Sequence, residues 1–534
     1  MGKQTWDYVI IGGGSAGCVL ANRLSADPGT SVLLLEAGGS HRHPLISTPL
    51  GYGLTVNSPR FAYQFRSGKD DTTHGRQHQL PRGRVLGGSS SINGMIYIRG
   101  QHQDYDNWAQ LGATGWDWES VRPYFVGSVS QQHGASEWHS DSGPLRIEDN
   151  RNQFAACEAL IKSGINLGIP RNDDFNGRSQ EGIGHYQTTM RGGRRWSAAN
   201  AYIDSVRQRE NLSIKTGIQV DRIVFDGSRA VAVNTSAGDF AARQEIILAA
   251  GAYGSPQLLQ VSGIGPRHVL ETLDVKPVLV HESVGRNLQD HAGPPMAWRL
   301  HRTEDSVNRN LTPSGMIGSL LKYLVTRRGP VSMPAAAVGL FVKSSEELSR
   351  PDLQFHCLPV SGNDSDDASQ QQVDPFPGFT MMPYLMHPAS RGAVTAISAD
   401  ISVQPHIETN YFQAESDLKA VVNGMRLAER LAQTEPFAAL VQSRIRPHAD
   451  LIAESELEDY ARTHAHTGYH PVGTCRMGTD QNAVVDPDCR LTGTENLRII
   501  DASVMPSLIS GNTHAATVMI AEKVSDAMIN NRGS

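Results

Sequence analysis

The stretch DYVIIGGGSAGCVLANRL, residues 7–24, decides the fold. Tyr8 to Ile11 predict a short buried strand, the glycines a tight turn, and the Ala- and Leu-rich run that follows a helix. SVLLLEAG, residues 31–38, is a second continuous apolar run of the kind a parallel sheet buries on both faces. Strand, helix and strand within about 30 residues make a βαβ unit.

Gly12, Gly14 and Gly17 spell GxGxxG directly after the first strand. The first glycine permits the turn, the second lets backbone approach a pyrophosphate, and the third lets helix and strand pack closely. The helix start offers N–H groups and a positive dipole end to phosphates. Glu36 closes the second strand, where an acid accepts from a ribose 2′-OH and repels a 2′-phosphate. The expected ligand therefore carries adenosine diphosphate, as FAD and NAD do and NADP does not. Gly13, Ser15 and Gly17 also spell GxSxG, a nucleophile elbow. An elbow on the very first strand would be misplaced in a hydrolase sheet and would leave Glu36 without a role.

Composition narrows the class. A chain of 534 residues holds about three or four domain-sized units, fewer if one is large. Hydrophobic residues are 39%, charged residues 19% and the net charge is -6, with no long basic run, which argues against nucleic acid as a partner. Five cysteines without CxxC argue against a disulfide framework or structural zinc and point to a reducing compartment, the cytoplasm. The start MGKQTWDYVIIGGG lacks secretory features, and no apolar run approaches the roughly 18 residues of a membrane span. Peripheral contact with the inner face of the cell membrane stays open.

Further along, residues 40–100 carry turn signals and little period, so extended loops covering a ligand are expected. QEIILAAGAYGS (244–255) predicts another buried strand, VTAIS and ISVQP (394–405) antiparallel strands, and GNDSDDASQQQ (362–372) a polar loop. Helices are expected over 415–433 and from about Ala515 to Asn530, with Val518, Ala521, Val524 and Met528 on one face.

GRVLGGSSSINGMIYIRG (83–100), GAYGSPQLLQVSGIG (251–265), VGRNLQDH (284–291), YHPVGTCRMG (469–478) and DASVMP (501–506) together resemble the glucose–methanol–choline family of flavin oxidoreductases, over essentially the whole chain. Bacterial alcohol dehydrogenases and choline-dehydrogenase-like members are the most similar. The resemblance implies an α/β fold: a Rossmann-like FAD-binding domain (1–155, 195–295 and 460–534) and a discontinuous substrate domain built on an antiparallel sheet (156–194 and 296–459). It implies FAD as cofactor, a small-molecule alcohol as substrate, and a quinone or similar electron acceptor.

Residue by residue, Gly12, Gly14, Ser15 and Glu36, with Ala16 and Ala37, match the ADP-binding positions. Val220 matches the backbone beside adenine. Gly87, Gly88, Asn93, Gly94 and Met95, with Arg84, Leu86 and Ile96, match the loop against the flavin ring. Ala250, Gly251, Asp501, Ala502, Thr513 and His514 complete the cofactor set. LGGSSS is poor in bulk and rich in N–H groups, as a loop flush against a planar ring should be. Some members link flavin covalently through a histidine two residues before the position of Gly94; here that residue is Ile92, so FAD is expected to be non-covalent.

Alcohol oxidation needs a proton acceptor near neutral pH, and histidine titrates at about 6.5. His470 matches the catalytic histidine, and His514 the second active-site position, which is Asn or His across the family and is expected to hydrogen-bond the alcohol. Which of the two is the base stays open. The last helix, starting near His514, could point its dipole at the flavin edge that gains charge. His466 and His470 are spaced i, i+4 like zinc ligands, but Gly468 and Pro471 oppose a helix through them and no HExxH acid is present. Gly468 also stands where family oxidases typically carry a bulkier residue. Alternatives are an alcohol oxidase that makes hydrogen peroxide, a non-redox lyase or decarboxylase of the same fold, and a binding module. LISTPLGYGLTVNSP (45–59) resembles the pocket-entrance loop and favours aliphatic or aromatic primary alcohols, without separating them from choline-like or polyether substrates.

Overall fold

A computed structural model describes residues 4–363, 372–448 and 453–530. The opening stretch folds as its pattern requires. The strand Gln4–Ile11 runs parallel to Val32–Glu36 on one side and to Phe240–Leu248 on the other. Between the first two strands lies the helix Ser15–Leu24. Gly12 has φ +99°, and a Cβ on Gly17 would stand 1.9 Å from the Gly12 carbonyl oxygen, so both positions demand glycine.

Among the described residues this sheet has seven strands. Leu212–Thr216 flanks Val32–Glu36, and Leu497–Ile499 flanks Phe240–Leu248, both parallel. The antiparallel strands Arg229–Thr235 and Val220–Asp226 extend it beyond Phe240–Leu248. The last helix, His514–Asn530, packs on the first helix, and Val518, Ala521, Val524 and Met528 are buried there. A segment from the far end of the chain thereby closes over the glycine turn.

A second, six-stranded sheet is wholly antiparallel, in the order 441–446, 296–300, 378–385, 353–358, 338–342, 182–185. The helix Glu415–Ala432 covers one face through Leu418, Val421, Met425 and Leu431. The two sheets have separate hydrophobic cores.

Residues 40–100 form short helical turns and two-residue strands. The hairpin expected over 394–405 differs in register. Ala393–Thr395 pairs with His406–Glu408, and ISVQP forms the bend between them. Pro405 and the polar run Ser398–Asp400 suit a bend better than a ladder. The polar segment 362–372 lies mostly outside the described residues.

Candidate active site

A cavity of ≈ 1100 Å³ runs between the sheets, from the glycine turn to His470. At one end Gly12, Gly14, Ser15 and Ala16 line it, and the first helix has no side chain capping its N-terminus. Glu36 is buried beside them. Its Oε2 accepts the Gly13 N–H at 2.8 Å and its Oε1 the Gly38 N–H at 2.7 Å, leaving each oxygen a lone pair. Burial raises its pKa above the usual carboxylate range. Ala37 and Val220 line the same end.

The loop 84–96 forms the middle. Gly88 lies so close to the glycine turn that a Cβ would stand 2.7 Å from Gly14 Cα, and Gly94 abuts Ala335. Arg84, Gly88, Asn93, Gly94, Met95 and Ile96 line the cavity. Leu86 and Gly87 do not: Leu86 is fully buried, and the Gly87 N–H donates to the Gly13 carbonyl. They brace the loop from behind. Asn93 Oδ1 accepts from the Met95 N–H and from Arg195, which sets its orientation. Ala250, Gly251, Asp501, Ala502 and Thr513 line the cavity, with Asp501 tied to the Gly251 and Ser503 N–H groups and the Ser255 hydroxyl.

These residues fit a dinucleotide. The uncapped helix start, the backbone packed without Cβ atoms, and two buried nitrogens on the cavity with no protein partner, Arg84 Nε and His514 Nε2, form a polar cradle.

His470 lies on a loop held by Asp290. Asp290 Oδ1 accepts the His470 N–H at 2.7 Å, and Oδ2 accepts from Tyr411 and Thr467. Arg82 donates twice to the Tyr469 carbonyl, and Tyr469 itself has φ +63°. Beneath the His470 ring sits His291, with the two Nδ1 atoms 2.9 Å apart.

The protons in this chain follow from one carbonyl. His291 Nε2 is 3.0 Å from the Met386 carbonyl oxygen, which can only accept, so Nε2 carries the proton. Burial holds His291 at about 3, so the ring is neutral and its Nδ1 is bare. His470 Nδ1–H therefore donates to it, and the lone pair of His470 sits on Nε2. Burial, then the neighbouring His291, His356 and Arg82, keeps His470 well below the usual imidazole range and neutral.

His470 Nε2 is 2.9 Å from Asn512 Nδ2. Gln354 Nε2, from the antiparallel sheet, donates to Asn512 Oδ1 at 3.1 Å and so turns the amide N–H toward His470. His514, expected as the second hydrogen-bonding residue, points elsewhere. Its Nδ1 is 3.0 Å from Ser15 Oγ at the glycine turn. Asn512 precedes the last helix and meets His470, whereas His514 opens that helix and meets Ser15. The Ser15–His514 pair is no hydrolase dyad backed by an acid, because His514 Nε2 has no protein partner.

Asn512, His291, Asp290 and Gln354 were not singled out by sequence. His291 and Asp290 end the quoted motif VGRNLQDH, and Asn512 stands two residues before His514; Gln354 carried no signal. Beyond His470 the wall carries Tyr52, Val56, Pro295, Leu358, Met382 and Tyr384 beside the uncharged polar Asn57, Asn363 and Thr380, plus His356, whose buried Nε2 has no protein partner. Tyr52 and Val56 come from the entrance stretch 45–59.

The family model described as GMC oxidoreductase matches residues 6–293, and its C-terminal counterpart residues 388–521. An alcohol dehydrogenase [acceptor] of Pseudomonas putida is 38% identical, covering 98% of this chain and 96% of its own. An oxygen-dependent choline dehydrogenase of Photobacterium profundum is 36% identical, covering 99% of this chain and 94% of its own. Among solved structures, pyridoxine 4-oxidase from Mesorbium loti superimposes with TM-score 0.89 at 29% identity, covering 98% of this chain and 99% of its own.

Proposed function

Because the chain belongs to the GMC oxidoreductase family, we propose that it oxidises a neutral primary alcohol to the aldehyde with His470 as the base. When bound, FAD would supply the hydride acceptor, with a quinone or similar compound as the final electron acceptor. The observation that carries the assignment of the base is the chain Met386 carbonyl–His291–His470, which leaves the only bare ring nitrogen of His470 on Nε2.

An alcohol reaching His470 and Asn512 trades their mutual bond for two of its own. Asn512 Nδ2–H donates to the alcohol oxygen, and His470 Nε2 accepts the hydroxyl proton. Burial keeps His470 neutral but also weakens it as a base, so proton transfer is favoured as charge leaves the carbon. Asn512, fixed by Gln354, stabilises the developing alkoxide oxygen. Ser15 and His514 belong to the cofactor end in this reading. We assign residues 1–155, 195–295 and 460–534 to cofactor binding and 156–194 and 296–459 to the substrate domain.

Among the described residues lining the cavity, the carboxylates are Glu36 and Asp501, both committed to backbone N–H groups. The lobe beyond His470 thus offers no carboxylate as counter-charge to a quaternary ammonium, which favours aliphatic or aromatic alcohols over choline. Such alcohols and quinones partition into membranes, so we place the enzyme in the cytoplasm with peripheral contact at the inner face of the membrane. No helix among the described residues is long and apolar enough to cross one.

The test is anaerobic flavin bleaching across a panel of alcohols, choline included, followed by mixing with oxygen or a quinone. Bleaching by hexanol or benzyl alcohol with little effect of choline is expected. No bleaching by any alcohol would refute the reaction, and fast bleaching by choline would refute the neutral-substrate assignment.

A further inference from the structure

The helix Pro313–Thr326, PSGMIGSLLKYLVT, is turned inside out. Its buried side chains are Ser319 and Tyr323, and the Tyr323 hydroxyl donates to the Gly193 carbonyl at 3.0 Å. Ile317, Leu320, Leu321, Leu324 and Val325 face outward at 65, 44, 61, 54 and 85% exposure. Spaced 3, 1, 3 and 1, they share one helical face. The described residues expose thirteen large apolar side chains, and five fall on these 14 residues. Scattered exposed leucines need no explanation, but a contiguous aliphatic face does.

Cations gather at the C-terminal end of that face. Lys322 is on the helix, and Arg327 and Arg328 follow its last residue. The hairpin carrying exposed Arg191 and Arg194 packs on the same end, where a Cβ on Gly193 would stand 2.5 Å from the Arg327 carbonyl oxygen. Arg191 and Arg327 lie over the rings of Trp196 and Tyr323. No carboxylate among the described residues pairs with these five cations. In a chain of net charge -6, this is a local reversal of sign.

The face also adjoins the way into the cavity. The helix packs on the turn Pro330–Ser332, which packs on Pro49–Gly51, which runs into Tyr52–Thr55. Tyr52, Gly53 and Val56 line the cavity, while Leu54 between them is 64% exposed.

We propose that the face Ile317–Val325 docks on an anionic lipid surface. Its aliphatic side chains enter the headgroup region, and Lys322, Arg191, Arg194, Arg327 and Arg328 meet the phosphates. At 14 residues the helix is about 21 Å long, too short to span a bilayer but suited to lying in its surface. Docked so, the entrance segment around Leu54 opens where lipophilic alcohols and quinones concentrate. The proposal gives a surface to the peripheral contact inferred above and rests on that reading for its purpose.

The experiment is co-sedimentation of the FAD-loaded enzyme with vesicles of phosphatidylcholine alone, or mixed equally with phosphatidylglycerol, at low and high salt. Wild type should pellet with the anionic vesicles, less at high salt and least with phosphatidylcholine alone. I317E/L321E and R327E/R328E should each weaken binding by roughly tenfold or more, while keeping the flavin spectrum and bleaching by a water-soluble alcohol. Wild type left in the supernatant, or both variants binding like wild type, would overturn the proposal. So would I317E/L321E converting a dimer to a monomer in light scattering, which would make the face a subunit contact. Bleaching reads the catalytic assignment separately: vesicle binding without bleaching would sink that assignment and leave the surface standing.

Discussion

His470 Nε2 lies 2.9 Å from Asn512 Nδ2, and the ring presents its lone pair to the amide rather than a proton. The pair joins a loop held by Asp290 to the entry of the last helix. Removing either member should therefore hurt the chemistry without disturbing the cofactor.

His470→Ala should keep the flavin spectrum and slow anaerobic reduction by alcohol by about a hundredfold or more. Asn512→Ala should also slow it, by about tenfold to a hundredfold. His514→Ala should act mainly on FAD affinity, through Ser15. Stopped-flow reduction and FAD titration separate the outcomes. A larger loss of reduction rate in His514→Ala than in Asn512→Ala would reverse the assignment.

His291 acts through His470. His291→Ala removes the acceptor for His470 Nδ1–H, frees the other tautomer, and should slow reduction by about tenfold. His291→Asn restores an acceptor oxygen near the lost Nδ1 and should recover part of the rate. The wild-type rate should be flat above about pH 6.5, because His470 is already neutral there, and His291→Ala should alter the profile on the acid side. Equal rates in the Ala and Asn variants would indicate a packing role only.

Gly468 lets the two rings meet. A Cβ there would stand 3.0 Å from both His291 Cβ and His470 Nδ1. Gly468→Val should slow reduction by about tenfold or more through displacement of His470. With Gly468 in place, we expect slow reoxidation by air and fast reoxidation by quinones, read as peroxide yield against quinone reduction. Peroxide formed at the rate of alcohol turnover, with no gain from quinone, would make the enzyme an oxidase.

Ile92 packs with Ile46, Phe61 and Val85 and offers no nucleophile to the cofactor. Acid denaturation should release yellow FAD into the supernatant. Flavin that stays with the washed precipitate would contradict this.

Four histidines are held neutral by burial: His291 at about 3, His356 and His514 at about 4, and His470 well below its ordinary value. Below about pH 6.5 the unfolded chain protonates each of them and the folded chain does not, so unfolding takes up protons. Stability is then full above that pH and is lost as pH falls toward the folded values, by about 1 kcal/mol per pH unit per histidine. The melting temperature should drop steadily from pH 7 to pH 5, where most carboxylates are still ionised. A constant melting temperature over that range would count against the buried neutral rings.

The glycine turn, its two strands and Glu36 were legible from the letters, because local spacing fixes a βαβ unit and the chemistry of its crossover. His470 was legible only through its resemblance to the family's motif, since the groups that hold and face it, Asp290, His291 and Asn512, lie far from it in sequence. The hairpin near residue 400 was misplaced in register, since apolar runs do not reveal where a bend falls. The helix Pro313–Thr326 carried no expectation from the sequence, and its outward aliphatic face emerges only once its buried side chains are seen to be Ser319 and Tyr323.

By itself, then, the sequence determined the cofactor fold, its glycine turn and one catalytic candidate. The tertiary structure decided which nitrogen of His470 is bare and which residue faces it. That decision came from Met386, His291, Gln354 and Asn512, contributed by four separate segments. A proton's position follows from what lies within about 3 Å of it, and no spacing along the chain encodes which distant carbonyl will stand there.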